Sequence, residues 1–215
     1  MKGLSRKLLP GIGVLTLAAA FLSPAWAAET YPIDKGHSSI GFSVTHLMVS
    51  TVRGSFTDYE GTLQFDPADP AATKAEITIK ADSINTNQAD RDAHLRKPDF
   101  LDTANYPMII FKSKSVKKEG NTYLITGDLT MRDVTKEITI PIFISGPVKS
   151  PFGKDVIGLT GQATINRQDF GVSWDKRMDQ GGLVVSDDVI LEINIEAAKE
   201  AVQETAPKAA APEQK

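Results

Sequence analysis

His37-Ser-Ser-Ile-Gly-Phe-Ser-Val-Thr-His-Leu47 alternates without a break, with Ile40, Phe42 and Val44 on one side and Ser39, Gly41, Ser43 and Thr45 on the other. Successive side chains leave opposite faces of an extended backbone, so a period of two marks a strand with one face buried. The pattern recurs down the chain. Thr51 to Phe56 and Gly61 to Phe65 follow, parted by a polar bend at 57–60. Ala75-Glu-Ile-Thr-Ile-Lys-Ala81 puts Ala75, Ile77, Ile79 and Ala81 on one side. Met108 to Val116 and Thr122 to Met131 flank Glu119-Gly-Asn121, a hairpin signal. Val134 to Ser145 carries Ile138, Ile140, Ile142 and Ile144 on one face, with Pro141 opposite, which predicts an edge or an irregular pairing. Val156 to Ile165 and Asp188 to Glu196 complete the set, while Pro67, Pro70 and the run from Pro147 to Gly153 mark loops.

About eight strands at short spacing, with no β-α alternation, predict an all-β domain. An antiparallel eight-stranded barrel is the natural closure because it leaves no exposed edge; a two-sheet sandwich stays open as the rival. Glycines 41, 54, 61, 127, 158 and 161 fall inside strand patterns, where they permit bending and coiling.

Only the stretch from Ser83 to Pro107 reads as helical. Asn87 is the expected N-cap, Asp90 and Asp92 fall at the start where the helix dipole favours them, and Lys97-Pro98 ends the run. A short, polar helix is not stable alone in water. It is therefore expected to lie as a lid, residues 87–107, over one end of the sheet, with Phe100-Leu101 as a second anchor.

Both chain ends stand apart. Lys2, Arg6 and Lys7 precede an apolar run from Leu8 to Leu22, and Ala25-Trp26-Ala27 is a small-x-small cleavage site. Residues 1–27 thus read as a Sec-type signal peptide cleaved after Ala27, which implies a soluble protein outside the cytoplasm. Residues 28–196 form the expected domain, and the Ala/Pro/Lys/Glu-rich stretch 197–215 reads as a disordered tail. The formal net charge is −3, and removing the three basic residues of the leader makes it more acidic, so a basic nucleic-acid surface is not indicated. Cysteine is absent, which excludes disulfides, thiol catalysis and thiolate metal sites.

Chemistry-bearing motifs are sparse. There is no Gly-x-Ser-x-Gly elbow, no His-Glu-x-x-His and no phosphate loop, so no catalytic or metal site is assigned. His37, His46 and His94 lie in different elements without ligand spacing. On the helix, Asp90 and His94 face each other at i,i+4. Arg91, His94, His46 and Arg53 are candidates for meeting a polar group at the barrel rim. Asn166-Arg-Gln-Asp-Phe-Gly-Val-Ser-Trp174 is expected as a turn with Phe170 packed beneath it. Ile40, Phe42, Val44, Phe56, Leu63, Phe65, Ile77, Ile79, Phe100, Phe111 and Leu129 either fill the barrel or line a cavity; an eight-stranded barrel permits both.

His37-Ser-Ser-Ile-x-Phe42, Gly54-x-Phe56 with Gly61, Ser83-Ile-x-Thr86, Arg91-Asp-x-His-Leu95, Asp99-Phe-Leu-Asp102 and Tyr106-Pro107 together resemble the YceI-like lipid- and polyisoprenoid-binding family. Gly127-Asp-Leu-Thr130, the Val134-Thr-Lys136 turn and Asn166-Arg-x-Asp-Phe-Gly171 extend the match, which runs from Thr30 to Glu196. The resemblance implies a lipocalin-like barrel whose lumen holds a polyprenyl compound or the tail of a quinone as ligand. It also implies a periplasmic setting, frequent homodimers and no established catalysis; no cofactor is expected beyond the bound lipid, and transient membrane contact is among the expected partners. A periplasmic enzyme, or a stress-related interaction protein with a filled core, are the alternatives.

Overall fold

The computed structural model describes residues 28–199 apart from 67 and 180. The expected signal peptide, Pro67 and most of the expected tail lie outside those residues. Strands form where the alternation predicts them: β2 (Ser39–His46), β3 (Ser50–Phe56), β4 (Tyr59–Phe65), β5 (Lys74–Lys80), β7 (Met108–Glu119), β8 (Thr122–Met131), β9 (Val134–Lys149), β10 (Asp155–Asn166) and β11 (Val185–Ala198). Two short strands were not foreseen. They are β1 (Glu29–Pro32) and β6 (Ile84–Asn85), each too brief to show a period. With the nine alternating runs they make eleven strands among the described residues, where an eight-stranded barrel was expected.

All of them belong to one antiparallel sheet, in the order β1-β4-β5-β7-β8-β9-β10-β11-β2-β3-β6. Neighbours in sequence are mostly neighbours in space, as short connections require. The sheet curls into a barrel, and the residues after β1 close its seam. Ile33 bridges Ala197 of β11 and donates its N–H to the Gly61 carbonyl of β4 at 3.1 Å, while Asp34 N–H donates to the Glu196 carbonyl at 2.8 Å. Ala197 is fully buried in this seam. The domain thus runs past the expected boundary at 196, because strand β11 continues to meet the Ile33 segment.

Pro141 does not mark an edge, since β9 pairs with both β8 and β10. The ladder to β10 runs from Lys149 only as far as Ile142 and stops one residue short of the proline. Its missing N–H thus falls just beyond the last pair of that ladder, Ile142 with Gly161. Two glycines make room for aromatic rings that cross the strands. A Cβ on Gly54 would sit 2.5 Å from Cζ of Phe42, and one on Gly127 would sit 2.7 Å from Cζ of Phe111. Each ring thereby takes the space that a side chain on the neighbouring strand would fill.

The one α-helix among the described residues, α1 (Ala89–Leu95), starts a residue later than expected. Gln88, not Asn87, is the N-cap, and its side-chain oxygen accepts from Arg91 N–H. Asn87 instead takes a left-handed turn, φ 61°, with its N–H held by Asn85 Oδ1 at 2.8 Å. Arg167–Phe170 is a single 3-10 turn closed by Gly171, with Phe170 buried under it.

Candidate functional site

Alternation delivers about thirty apolar side chains to the barrel interior, and they do not close up across the middle. They enclose a cavity of about 200 Å³. For scale, an apolar cavity of ~150 Å³ stays dry and admits a benzene molecule. Every residue expected to face inward lines this cavity except Phe65. Phe65 lies beyond it, packed edge-on against Tyr31 with ring centres 5.9 Å apart. Tyr31 belongs to β1, the strand the alternation did not reveal, so that plug was not legible.

A second cavity of about 190 Å³ lies under the lid, between α1, the start of β3 and the segment after Phe170. Phe42, Val44, Leu95, Phe100 and Val185 line both cavities and form the partition between them. The chambers differ in chemistry. The inner wall carries almost no polar surface, whereas the outer one includes His46, Thr86, Arg91 and His94 beside Trp174. Of the four rim candidates, Arg91, His94 and His46 thus come together at this mouth. Arg53 does not, because on β3 the inward positions are Val52, Gly54 and Phe56, and Arg53 is exposed on the outer face.

The lid is held by a few specific bonds. Asp92 is only 8% exposed, not a solvated helix-start acid. Its Oδ1 accepts from the Thr86 backbone N–H at 2.8 Å and from the Thr86 hydroxyl. Arg91 folds back on the same residue, with Nε donating to Thr86 Oγ1 at 2.7 Å and Nη2 to the Thr86 carbonyl at 2.9 Å. Thr86 therefore holds two of the three charges that open the helix, Arg91 and Asp92. Arg96 donates to the carbonyls of Asp82 and Ile84 at 2.7 and 2.8 Å, which covers the free edge of β6. From the other side, Arg132 donates to the carbonyls of Pro98 and Phe100 and lies over the Tyr106 ring.

His94 does not pair with Asp90 as helix spacing suggested. Its Nε2 meets Asp99 Oδ2 at 2.8 Å, since the chain turns back after Pro98. The imidazole stands edge-on to Phe100 and to Trp174, whose rings stack with centres 5.3 Å apart. This aromatic cluster forms one wall of the mouth.

Arg167 and Trp174 were missed as site residues, although both lie in the polar-aromatic segment singled out above. Arg167 is 4% exposed and borders the inner cavity. Its guanidinium is turned away from the void, donating to Val172 O at 2.7 Å, Ser186 O at 3.1 Å and Asp187 Oδ1 at 2.8 Å. A lone arginine beside an Asn-capped turn was the only signal, and it does not reveal such a pair.

The three histidines do not converge. His37 precedes β2 and His46 ends it, so the strand's length separates them. Among the described residues, the grouping with metal-like spacing is Asp34, His37 and Glu196, with donor atoms within 4.8 Å of one another. It sits at the barrel end away from the mouth. His37 Nδ1 is already engaged there by Asp34 at 3.0 Å, a hydrogen bond that raises the imidazole's pKa. Among the described residues, no buried side-chain nitrogen or oxygen is left without a hydrogen-bond partner.

The family model for the YceI-like domain matches residues 31–197. Protein YceI of Escherichia coli O17:K52:H18 (strain UMN026 / ExPEC) is 42% identical over 164 residues, which cover 75% of this chain and 86% of that protein. The crystal structure of the Campylobacter jejuni YceI protein superimposes with a TM-score of 0.63 at 36% identity, over 78% of this chain and 96% of the other. A polyisoprenoid binding domain from Saccharophagus degradans, implicated in plant cell wall breakdown, shares the fold with a TM-score of 0.60. That alignment covers 79% of this chain and 98% of the domain at 16% identity, a likeness of fold alone.

Proposed function

The chain belongs to the YceI-like family, and from that premise we propose that it binds the hydrocarbon chain of an isoprenoid lipid in its lumen, as a periplasmic carrier or sequestering protein and not as an enzyme. The observation that carries this reading is the inner cavity, a hollow apolar barrel that adjoins a polar, aromatic mouth. A wall without free donors or acceptors recognises only hydrocarbon. A polar head group would leave its hydrogen bonds unmade inside, at about 1–3 kcal/mol each, and so is expected at the mouth. There His46, Arg91 and His94 stand nearest to it.

Each buried CH₂ contributes roughly 0.8 kcal/mol, so even a short prenyl chain strongly prefers this lumen to water. A bilayer offers the same chain a similar medium, and transfer from membrane to barrel is then nearly balanced. That balance suits a carrier, which must release its load. The inner cavity as it stands accommodates only a short length of chain. A longer polyprenyl or quinone tail would run past Phe42, Leu95 and Phe100 into the outer cavity, with the lid yielding as it enters.

Ile77→Trp tests the reading, since Ile77 lines the lumen on β5. The variant is expected to keep its far-ultraviolet circular dichroism and lose polyprenol binding. Unchanged binding with the tryptophan in place would show that the lipid sits elsewhere.

A further inference from the structure

The turn from β2 to β3 breaks the usual chemistry of hairpin turns. Leu47 and Met48 both take left-handed backbone conformations, φ 50° and 60°. Glycine, asparagine and aspartate ordinarily fill such positions, because side chains like Leu and Met are strained there. This chain nevertheless places Leu47, Met48 and Val49 in succession at the tip, 38%, 69% and 84% exposed. Neither turn propensity nor core packing accounts for three apolar side chains in water.

The position of the turn supplies a reason. Leu47 N–H donates to the Val184 carbonyl at 2.8 Å, and Val184 lines the mouth together with His46 and Val52, the residues on either side of the tip. Met48 Sδ lies where a side chain on Gly182 would collide with it, beside Met178. The apolar tip is thus fixed to the rim of the opening. No carboxylate occurs between Ser39 and Val52, and the first charge after the tip is the exposed Arg53. Burying the tip in an apolar phase thus desolvates no acid of its own hairpin, although Asp179 adjoins Met178 on the facing loop.

We propose that the Leu47-Met48-Val49 turn docks the barrel mouth onto a lipid bilayer, so that the lumen opens toward the hydrocarbon phase. This rests on the lipid-binding reading above, because an isoprenoid ligand resides in membranes and must cross from one apolar medium to another. A second copy of the chain fits the tip poorly. Three partly exposed side chains fall well short of the roughly 800 Å² per partner that a stable dimer needs. Short insertion by a few apolar residues suits a reversible visit to a membrane surface.

The test compares the purified protein with a Met48→Asp, Val49→Asp variant carrying the same N-terminus. Vesicles of phosphatidylcholine and phosphatidylglycerol, with and without a polyprenol, serve as the probe. The variant is expected to co-sediment with vesicles at least about tenfold less well, as loss of two apolar transfers implies. Its uptake of polyprenol from vesicles should slow correspondingly, while its capacity for polyprenol supplied in detergent stays unchanged. Equal co-sedimentation of the two proteins overturns the docking proposal and leaves the lipid reading standing. Conversely, a protein that takes up polyprenol from neither source ends the lipid reading, and co-sedimentation still judges the turn. A dimer present in the parent and lost in the variant assigns the tip to a second copy and overturns the proposal. Because the chain has no cysteine, a polarity-sensitive dye can be placed singly by Val49→Cys or by Phe152→Cys at the opposite pole. Vesicles should shift the emission of the first to the blue and leave the second unmoved. The reverse pattern would place the docking face at the wrong end of the barrel.

Discussion

The lumen and its mouth are built by different means. The lumen is the sum of many interchangeable apolar side chains delivered by a period of two, and no single one of them defines it. The mouth hangs on a few polar contacts that cannot be exchanged: Thr86 with Asp92 and Arg91, Arg96 with the β6 edge, and Arg167 with Asp187. Distributed packing tolerates substitution, whereas a buried polar knot does not. Shape can therefore drift in the lumen while the geometry of the opening stays fixed.

The largest effect should come from Arg167→Ala. It strands the Val172 and Ser186 carbonyls, at about 1–3 kcal/mol each, while Asp187 is 31% exposed and keeps Gln168 Nε2 at 2.7 Å. A melting temperature within a degree or two of the parent would mean that the mouth is no more brittle than the barrel. Next comes Asp92→Ala, which leaves Thr86 without its acceptor at about 1–3 kcal/mol. The loss should be local, with amide exchange across residues 86–107 accelerated and exchange in β8 and β9 unaltered. Uniform acceleration would erase the distinction between the two regions.

Ile77→Val probes the lumen wall. Removing one methylene from a well-packed core costs about 0.5–1.5 kcal/mol. Here the figure should fall at the low end, because Ile77 faces a void and is only partly buried. A larger loss in chemical denaturation would show that the wall is packed more tightly than a yielding lumen requires.

The smallest effect lies at the closed end, where Asp34 holds the exposed His37 imidazole above its ordinary pKa, and His37 in turn lowers that of Asp34. The raised histidine stabilises the fold fully below its usual value of about 6.5, and that contribution fades as pH rises through the higher folded value. The lowered carboxyl contributes above its own usual range and is lost as pH falls through the depressed value. His37→Gln should flatten the slight decline in melting temperature between pH 6 and 8. An identical pH profile in both proteins would assign that decline to other groups.

This division also decides what could be read from the amino-acid order. Ile40, Phe42 and Val44 announce their face because burial repeats every second residue, and the strands followed from such runs. Phe65 obeys the same period and is buried as that period predicts, but against Tyr31, on a strand too short to carry a pattern, and not on the cavity. Asp92, Arg91 and His94 were visible as residue types. Their partners Thr86 and Asp99 depend on how the chain turns before and after the helix, and those turns, at Asn87 and Pro98, lie outside any periodicity. The Leu47-Met48-Val49 turn seemed an ordinary end to an alternating run. Only the backbone angles and the exposure of its side chains set it apart.

Native mass spectrometry of the protein released gently from cells, and again after incubation with polyprenols or isoprenoid quinones, tests the hollow barrel most directly. A discrete added mass, extractable into organic solvent and absent from Ile77→Trp, is the predicted result. Bare polypeptide in every preparation would contradict it.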